Sequence, residues 1–221
     1  MPRDTFLNLP VAKRKAITEA AIDEFAAYPY EQASVNRIVA NSGIAKGSFY
    51  QYFVDKEDLF LYVMGLIAQE KINYLSPVIR NPGEHDFFTV IREMFLSGVQ
   101  FAREHPRYAA VGKNVLADKQ APVYRELQAE SRPASFALFG PLIEKAIARG
   151  EVRADIDVGM LNYMIATLNV AIVEYCSEIN PQTMYESVTE SVDAFINILK
   201  NGIGNPDRLV REQPPARLSE S

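Results

Sequence analysis

Residues 32–54 contain no aspartate or glutamate. In the same stretch Asn36, Arg37, Lys46, Ser48, Tyr50, Gln51 and Tyr52 supply two cations and five neutral hydrogen-bonding groups. That set suits donation to phosphate oxygens and to the base edges of a nucleic acid. No comparable set for covalent chemistry stands out. His85 and His105 lie 20 residues apart, with no metal-ligand spacing to each other or to Cys176. The sequence has no Glu-x-x-His pair, no G-x-x-x-x-G-K-[ST] phosphate cradle and no G-x-S-x-G elbow. The expectation is therefore a binding protein, not an enzyme, with no cofactor and no metal.

These groups need rigid elements to aim them. Ser34 suits the N-cap of a short helix bearing Val35, Ile38 and Val39, and Ser42-Gly43 suits its end, since glycine accepts a positive φ. A further helix is expected over 45–53. Two short helices joined by a glycine-containing turn have the form of a helix-turn-helix. Val35, Ile38, Val39, Ile44, Phe49 and Phe53 would face inward, against Ile17, Ala21 and Phe25 of a preceding helix over 11–27. Lys46, Gly47, Ser48, Tyr50, Gln51 and Tyr52 would face outward, a surface suited to the major groove of DNA.

The rest of the chain reads as helix almost throughout. Asp55 caps a helix to about Tyr74, and others are expected over 85–104, from Pro106, over 122–148, from Asp157 to about 178, and over 181–200. Pro133 and Pro141 should kink or divide the 122–148 helix. Residues 204–221 read as a loosely ordered tail. No run is apolar enough for a membrane span or a secretory leader, and a single cysteine, Cys176, fits a reducing cytoplasm. The net charge of −5 opposes nucleic-acid binding in general. Screening limits distant carboxylates to a reach of about 8 Å, so an acid-free reading face remains compatible with it.

The run S-V-N-R-I-V-A-N-S-G-I-A-K-G-S-F-Y-Q-Y-F from Ser34, followed by D-K-E-D-L and preceded by Ala20, Ala21 and Phe25, resembles the TetR family of bacterial regulators. The core of the likeness is G-I-A-K-G-S-F-Y-x-Y-F-x-x-K. Pro29 departs from it where the family usually has glycine, and Ala45 where a Ser or Thr often caps the third helix. The resemblance implies an all-α fold. A three-helix DNA-binding domain over 1–54 would join a larger helical effector-binding and dimerisation domain over 55–203.

It also implies roles for single residues. Ser34 would cap its helix and touch phosphate, and Asn36 and Arg37 would reach phosphate or base edges. Lys46, Gly47 and Ser48 would face the major groove. Tyr50, Tyr52 and Lys56 would hold the DNA backbone. The implied protein is a ligand-released repressor of a near-palindromic double-stranded operator. It would be a homodimer through the helices near 157–178 and 181–200. Met160, Leu161, Met164, Leu168, Ile172, Val188, Val192, Phe195 and Leu199 would form the seam. Tyr62, Phe95, Phe101, Tyr108, Tyr124, Phe136, Phe139 and Tyr163 could, as a set, line a pocket for an unknown small-molecule effector. Each alone more often serves core or dimer packing.

Overall fold

A computed structural model describes residues 2–74, 81–117, 121–179 and 184–203. The described residues form α-helices joined by short turns, with no β-sheet among them. In chain order the helices are α1 (Asp4–Leu7), α2 (Val11–Ala27), α3 (Val35–Ser42), α4 (Lys46–Tyr52), α5 (Lys56–Asn73), α6 (Phe87–Glu104), α7 (Pro106–Ala117), α8 (Pro122–Ala148), α9 (Val158–Ile179) and α10 (Met184–Ile203). Single 3₁₀ turns occupy Tyr30–Gln32 and Pro82–Glu84.

Local chemistry sets most of these boundaries. The helix α2 stops at Tyr28, which is extended (φ −134°) as its position before Pro29 requires. Gly43 takes φ +68° and closes α3. The Asp55 carboxylate accepts from the Asp58 N–H at 2.8 Å, and Asp58 in turn accepts from Val54 N–H at 3.0 Å. These two bonds cap the start of α5. Asp157 accepts from Met160 N–H to start α9. Of the two outcomes expected for Pro133 and Pro141, division does not occur: both lie inside one continuous α8. The four-residue α1 has no periodicity that a sequence pattern could reveal.

The chain divides into two compact units. The first comprises residues 1–74 and 100–131, the second 75–99 and 132–221. A boundary at 54/55 is thus not where the packing divides, because α5, the end of α6, α7 and the start of α8 pack with α1–α4. The first core joins Ile17, Ala21 and Phe25 of α2 to Ile38, Phe49, Phe53, Leu59, Phe60, Val63 and Val111. Asn114 of α7 donates to the carbonyls of Phe25 and Ala26, both at 2.9 Å, and so caps the end of α2. Arg107 at the start of α7 pairs with Glu19 and Asp23 of α2.

In the second unit Phe87, Ile91, Phe95, Phe139, Ile143, Leu161, Ile165, Val188, Val192 and Leu199 form the core. Glu151 is buried. It accepts from Phe87 N–H at 2.7 Å and pairs with Arg149, which satisfies the first turn of α6. Arg92 of α6 pairs with Asp193 of α10.

This packing corrects the expected dimer seam. Leu161, Val188, Val192 and Leu199 are buried within the chain's own core, and Phe195 packs edge-on against Phe95 at 5.3 Å. An apolar helix surface cannot declare from sequence which side meets its own bundle. The large apolar side chains left exposed on α9 and α10 include Met160, Tyr163, Met164 and Ile198. The side chains of Ile172 and Cys176, and the expected tail, lie outside the described residues.

Candidate nucleic-acid interface

The seven residues of α4 split into two arcs. At 100° per residue Phe49, Tyr52 and the following Phe53 share one side, and all three are buried. Lys46, Gly47, Tyr50 and Gln51 fall on the other side and are exposed, with Ser48 half-buried at the edge. The exposed arc therefore presents an ammonium, a phenol and an amide around a bare stretch of backbone. Gly47 has no positive φ, and a Cβ added there would meet nothing within 4 Å. Glycine inside a helix costs about 0.5–1 kcal/mol relative to alanine, and no packing among the described residues requires it.

Three of the nine residues expected to face DNA are held differently. Tyr52 is only 6% exposed, with its ring beside Phe6 and the Lys13 ammonium 5.8 Å from it, so it belongs to the inward arc. Arg37 donates through Nε to both oxygens of Glu24, at 2.9 and 3.0 Å, and through Nη2 to the Gln32 carbonyl. Its guanidinium lies 4.2 Å from the Tyr28 ring centre. The Glu24 hydrogen bonds raise its already high pKa further. Its charge is compensated within the chain. The ammonium of Lys56 donates to the carbonyls of Tyr30 at 2.7 Å and Ala33 at 3.1 Å, and sits over the Tyr30 ring. It ties the turn before α3 to the start of α5.

Among the remaining six, the structure brings Lys46, Gly47, Ser48 and Tyr50 together on α4. Ser34 and Asn36 lie at the start of α3, where Asn36 is exposed. Ser34 makes no side-chain cap. Its backbone N–H instead donates to Glu24 at 2.7 Å. Glu24 is the positioning residue that pattern reading missed. The signal was present: an acid stands on the buried stripe Ala20, Ala21, Phe25 of α2, and such an acid needs partners.

Beside this framework lies a carboxyl pair. Glu57 in the first turn of α5 is hydrogen-bonded to Glu126 of α8. That bond, burial and the charges of Glu126 and Asp55 push the Glu57 carboxyl up to about 6. Burial and the same carboxylates, with Glu31, push the neighbouring Tyr30 phenol up to about 12.

The model for bacterial regulatory proteins of the tetR family matches residues 17–63, the stretch that contains α3 and α4. The crystal structure of a TetR family transcriptional regulator from Chloroflexus aurantiacus J-10-FL is 32% identical. The match covers 92% of this chain and 99% of that one, with a TM-score of 0.68. The chain belongs to the TetR family. It is a DNA-binding transcriptional regulator, and α3 and α4 both lie within the matched stretch. The HTH-type transcriptional repressor AcnR of Corynebacterium glutamicum is 25% identical over 162 residues, 72% of this chain and 79% of that protein. FadR of Bacillus subtilis, solved in complex with stearoyl-CoA, shares the fold at 19% identity. That match covers 86% of this chain and 98% of that one, with a TM-score of 0.70.

The eight aromatic residues expected to line one pocket of this TetR-family chain are distributed. Tyr62 packs on Phe6 and Phe53. Phe101 and Tyr108 stack around His105, and Tyr124 joins the same first core. Phe95 and Phe139 are buried in the second core, while Phe136 and Tyr163 are exposed. Phe95, Phe101 and Phe139 are buried, and Tyr62, Tyr108 and Tyr124 are half-buried against the first core. No helix of the described residues is long and apolar enough to cross a membrane.

Proposed function

We propose that this regulator represses transcription as a homodimer on a near-palindromic operator, and that a small molecule releases it. The observation that carries the reading is the exposed arc of α4, with the unexplained Gly47 at its centre. A glycine with open space around it lets a nucleic-acid backbone or base edge approach the helix closely. Lys46 would donate to guanine O6/N7, with Ser48 and Asn36 as further base readers. Tyr50 and Ser34 would give hydroxyls to phosphates. Arg37, Tyr52 and Lys56 act by holding the framework.

Pairing two chains would set two such helices one or more DNA turns apart, about 34–36 Å per turn, which calls for a near-palindromic site. The exposed Met160, Tyr163, Met164 and Ile198 supply the apolar surface for that pairing. Release by an effector requires a differential affinity of several kcal/mol between the DNA-competent and other states. The family membership supports that step. The stearoyl-CoA complex of the Bacillus protein supports the fold's capacity to hold a small molecule.

The test is to select duplexes from a random library with the full chain at moderate salt, and to measure their binding by fluorescence anisotropy. A palindromic consensus bound by dimers is expected. Changing Lys46 to alanine should alter which sequence is preferred, and changing Tyr50 to phenylalanine should weaken all sequences alike. A folded dimer with no sequence preference would sink the reading.

A further inference from the structure

The recognition helix α4 has no side-chain cap at its start, where Ala45 stands. Its last carbonyls need partners from elsewhere. Three of them find partners in a segment more than forty residues earlier. Arg3 N–H donates to the Tyr52 carbonyl at 2.9 Å, Arg3 Nη1 donates to the Tyr50 carbonyl at 3.0 Å, and the Thr5 hydroxyl donates to the Gln51 carbonyl. One residue further on, Phe6 is fully buried. Its ring centre lies 4.7 Å from that of Phe53 and 5.2 Å from that of Tyr62. Arg14 of α2 donates to the Leu7 carbonyl at 2.7 Å and secures the far end of the segment. Phe6 thus anchors a short turn whose next neighbours hold successive carbonyls of the DNA-reading helix.

We propose that residues 3–6 are a positioning clasp for the recognition helix, in which Arg3 and Thr5 fix the orientation of α4 through its carbonyl end and set operator affinity without reading a base or binding a phosphate. The inference rests on the reading that α4 enters the groove. A helix of two turns held at one end by hydrophobic contacts alone can fray and tilt there. Tyr50 and Gln51 lie in that last turn, on the exposed arc. Donors on three consecutive carbonyls remove the freedom, so the reading groups meet DNA already aligned.

The backbone offers a specific probe. Arg3 has φ −76° and ψ 158°, which proline adopts without strain. Arg3→Pro therefore deletes both the N–H and the guanidinium. Arg3→Gln keeps the N–H and a side-chain donor but removes the charge. Thr5→Val removes only the hydroxyl. Each would be made in the full chain and titrated, at several salt concentrations, against a duplex selected from a random library by the wild-type protein. Lys46→Ala would run alongside.

The expected result is a loss of about tenfold for Arg3→Pro and severalfold for Thr5→Val, as each forfeits ordinary hydrogen bonds. Arg3→Gln should bind nearly as well as wild type, and the salt slope should be unchanged in all three. Amide hydrogen exchange should rise at Tyr50 to Phe53 in Arg3→Pro, with the thermal midpoint close to wild type. Should Arg3→Pro unfold, Thr5→Val and Arg3→Gln still decide the matter. If Arg3→Gln is as weak as Arg3→Pro and its salt slope falls by about one, Arg3 is a phosphate contact and the clasp is wrong. If Lys46→Ala changes binding but the Arg3 and Thr5 variants do not, the clasp fails and the reading of α4 stands. If Lys46→Ala also leaves binding unchanged, the reading of α4 itself fails.

Discussion

Glu24 accepts from the backbone N–H of Ser34 at 2.7 Å and from Arg37 Nε at 2.9 Å, so a single buried carboxylate on α2 holds both the start of α3 and its first turn. Removing it as Glu24→Ala leaves the Ser34 N–H without this acceptor and the Arg37 guanidinium with the Gln32 carbonyl but no carboxylate. The expected cost is about 2 kcal/mol of fold stability, read by urea unfolding, with weaker binding to every duplex alike. Arg37→Met should weaken binding without changing its salt slope, because the charge it removes is already compensated by Glu24. A slope lower by about one would show that Arg37 reaches a phosphate.

Gly47 separates folding from function. Alanine there meets open space and a helix-compatible backbone. Gly47→Ala should therefore stabilise the chain by roughly 0.5–1 kcal/mol. It should also weaken operator binding, since a methyl group would occupy the space the DNA needs. Thermal unfolding and anisotropy titration on one preparation check both. Unchanged binding in a more stable protein would remove Gly47 from the interface.

The Glu57–Glu126 pair gives stability a pH dependence of known sign. In the unfolded chain Glu57 titrates near its ordinary 4.5, and in the fold near 6, chiefly through the hydrogen bond to Glu126. The folded state thus holds the proton more tightly. The pair's contribution is fully present below pH 4.5 and is lost as pH rises through 6. Glu57→Gln keeps a neutral donor toward Glu126. It should leave the melting temperature near wild type at pH 4.5 and raise it at pH 8. A gap between the two proteins that does not grow across that window would contradict the shared-proton arrangement.

Exposed apolar side chains on α9 and α10 make the dimer reading testable. Met160 is 64% exposed and Ile198 70%. Met160→Glu combined with Ile198→Glu should give folded monomers in sedimentation velocity, and should weaken operator binding sharply. The buried Val192 behaves differently. Val192→Ala should lower stability by about 1–3 kcal/mol through the cavity it leaves, with the dimer intact. Dimers that survive the double charge change would place the interface elsewhere.

Much of the first unit was legible in the sequence because it follows local rules. The stripe Ile17, Ala20, Ala21, Phe25 marked the buried face of α2, Asp55 marked the start of α5, and Gly43 marked the turn. What the pattern did not show has one physical origin. Arg37, Tyr52 and Lys56 are polar residues whose partners lie far along the chain: Glu24, Phe6 and the carbonyls near Tyr30. Periodicity places a side chain on a face, but it carries no information about which distant group has already satisfied it. Leu161 and Val192 show the same limit for apolar residues. On a helix apolar around most of its circumference, pattern alone cannot separate a chain's own core from a surface for a second copy.

The dependence of α4 on Arg3, Thr5 and Phe6 also bears on transplantation. A DNA specificity moved into another scaffold by grafting residues 34–53 alone would leave behind the Arg3 and Thr5 donors that hold the carbonyls of Tyr50, Gln51 and Tyr52. The family match, from residue 17 to 63, leaves them out as well. If the clasp holds α4, a portable cassette has to begin at residue 3. A chimaera built on that boundary should keep its sequence preference where the shorter graft loses it.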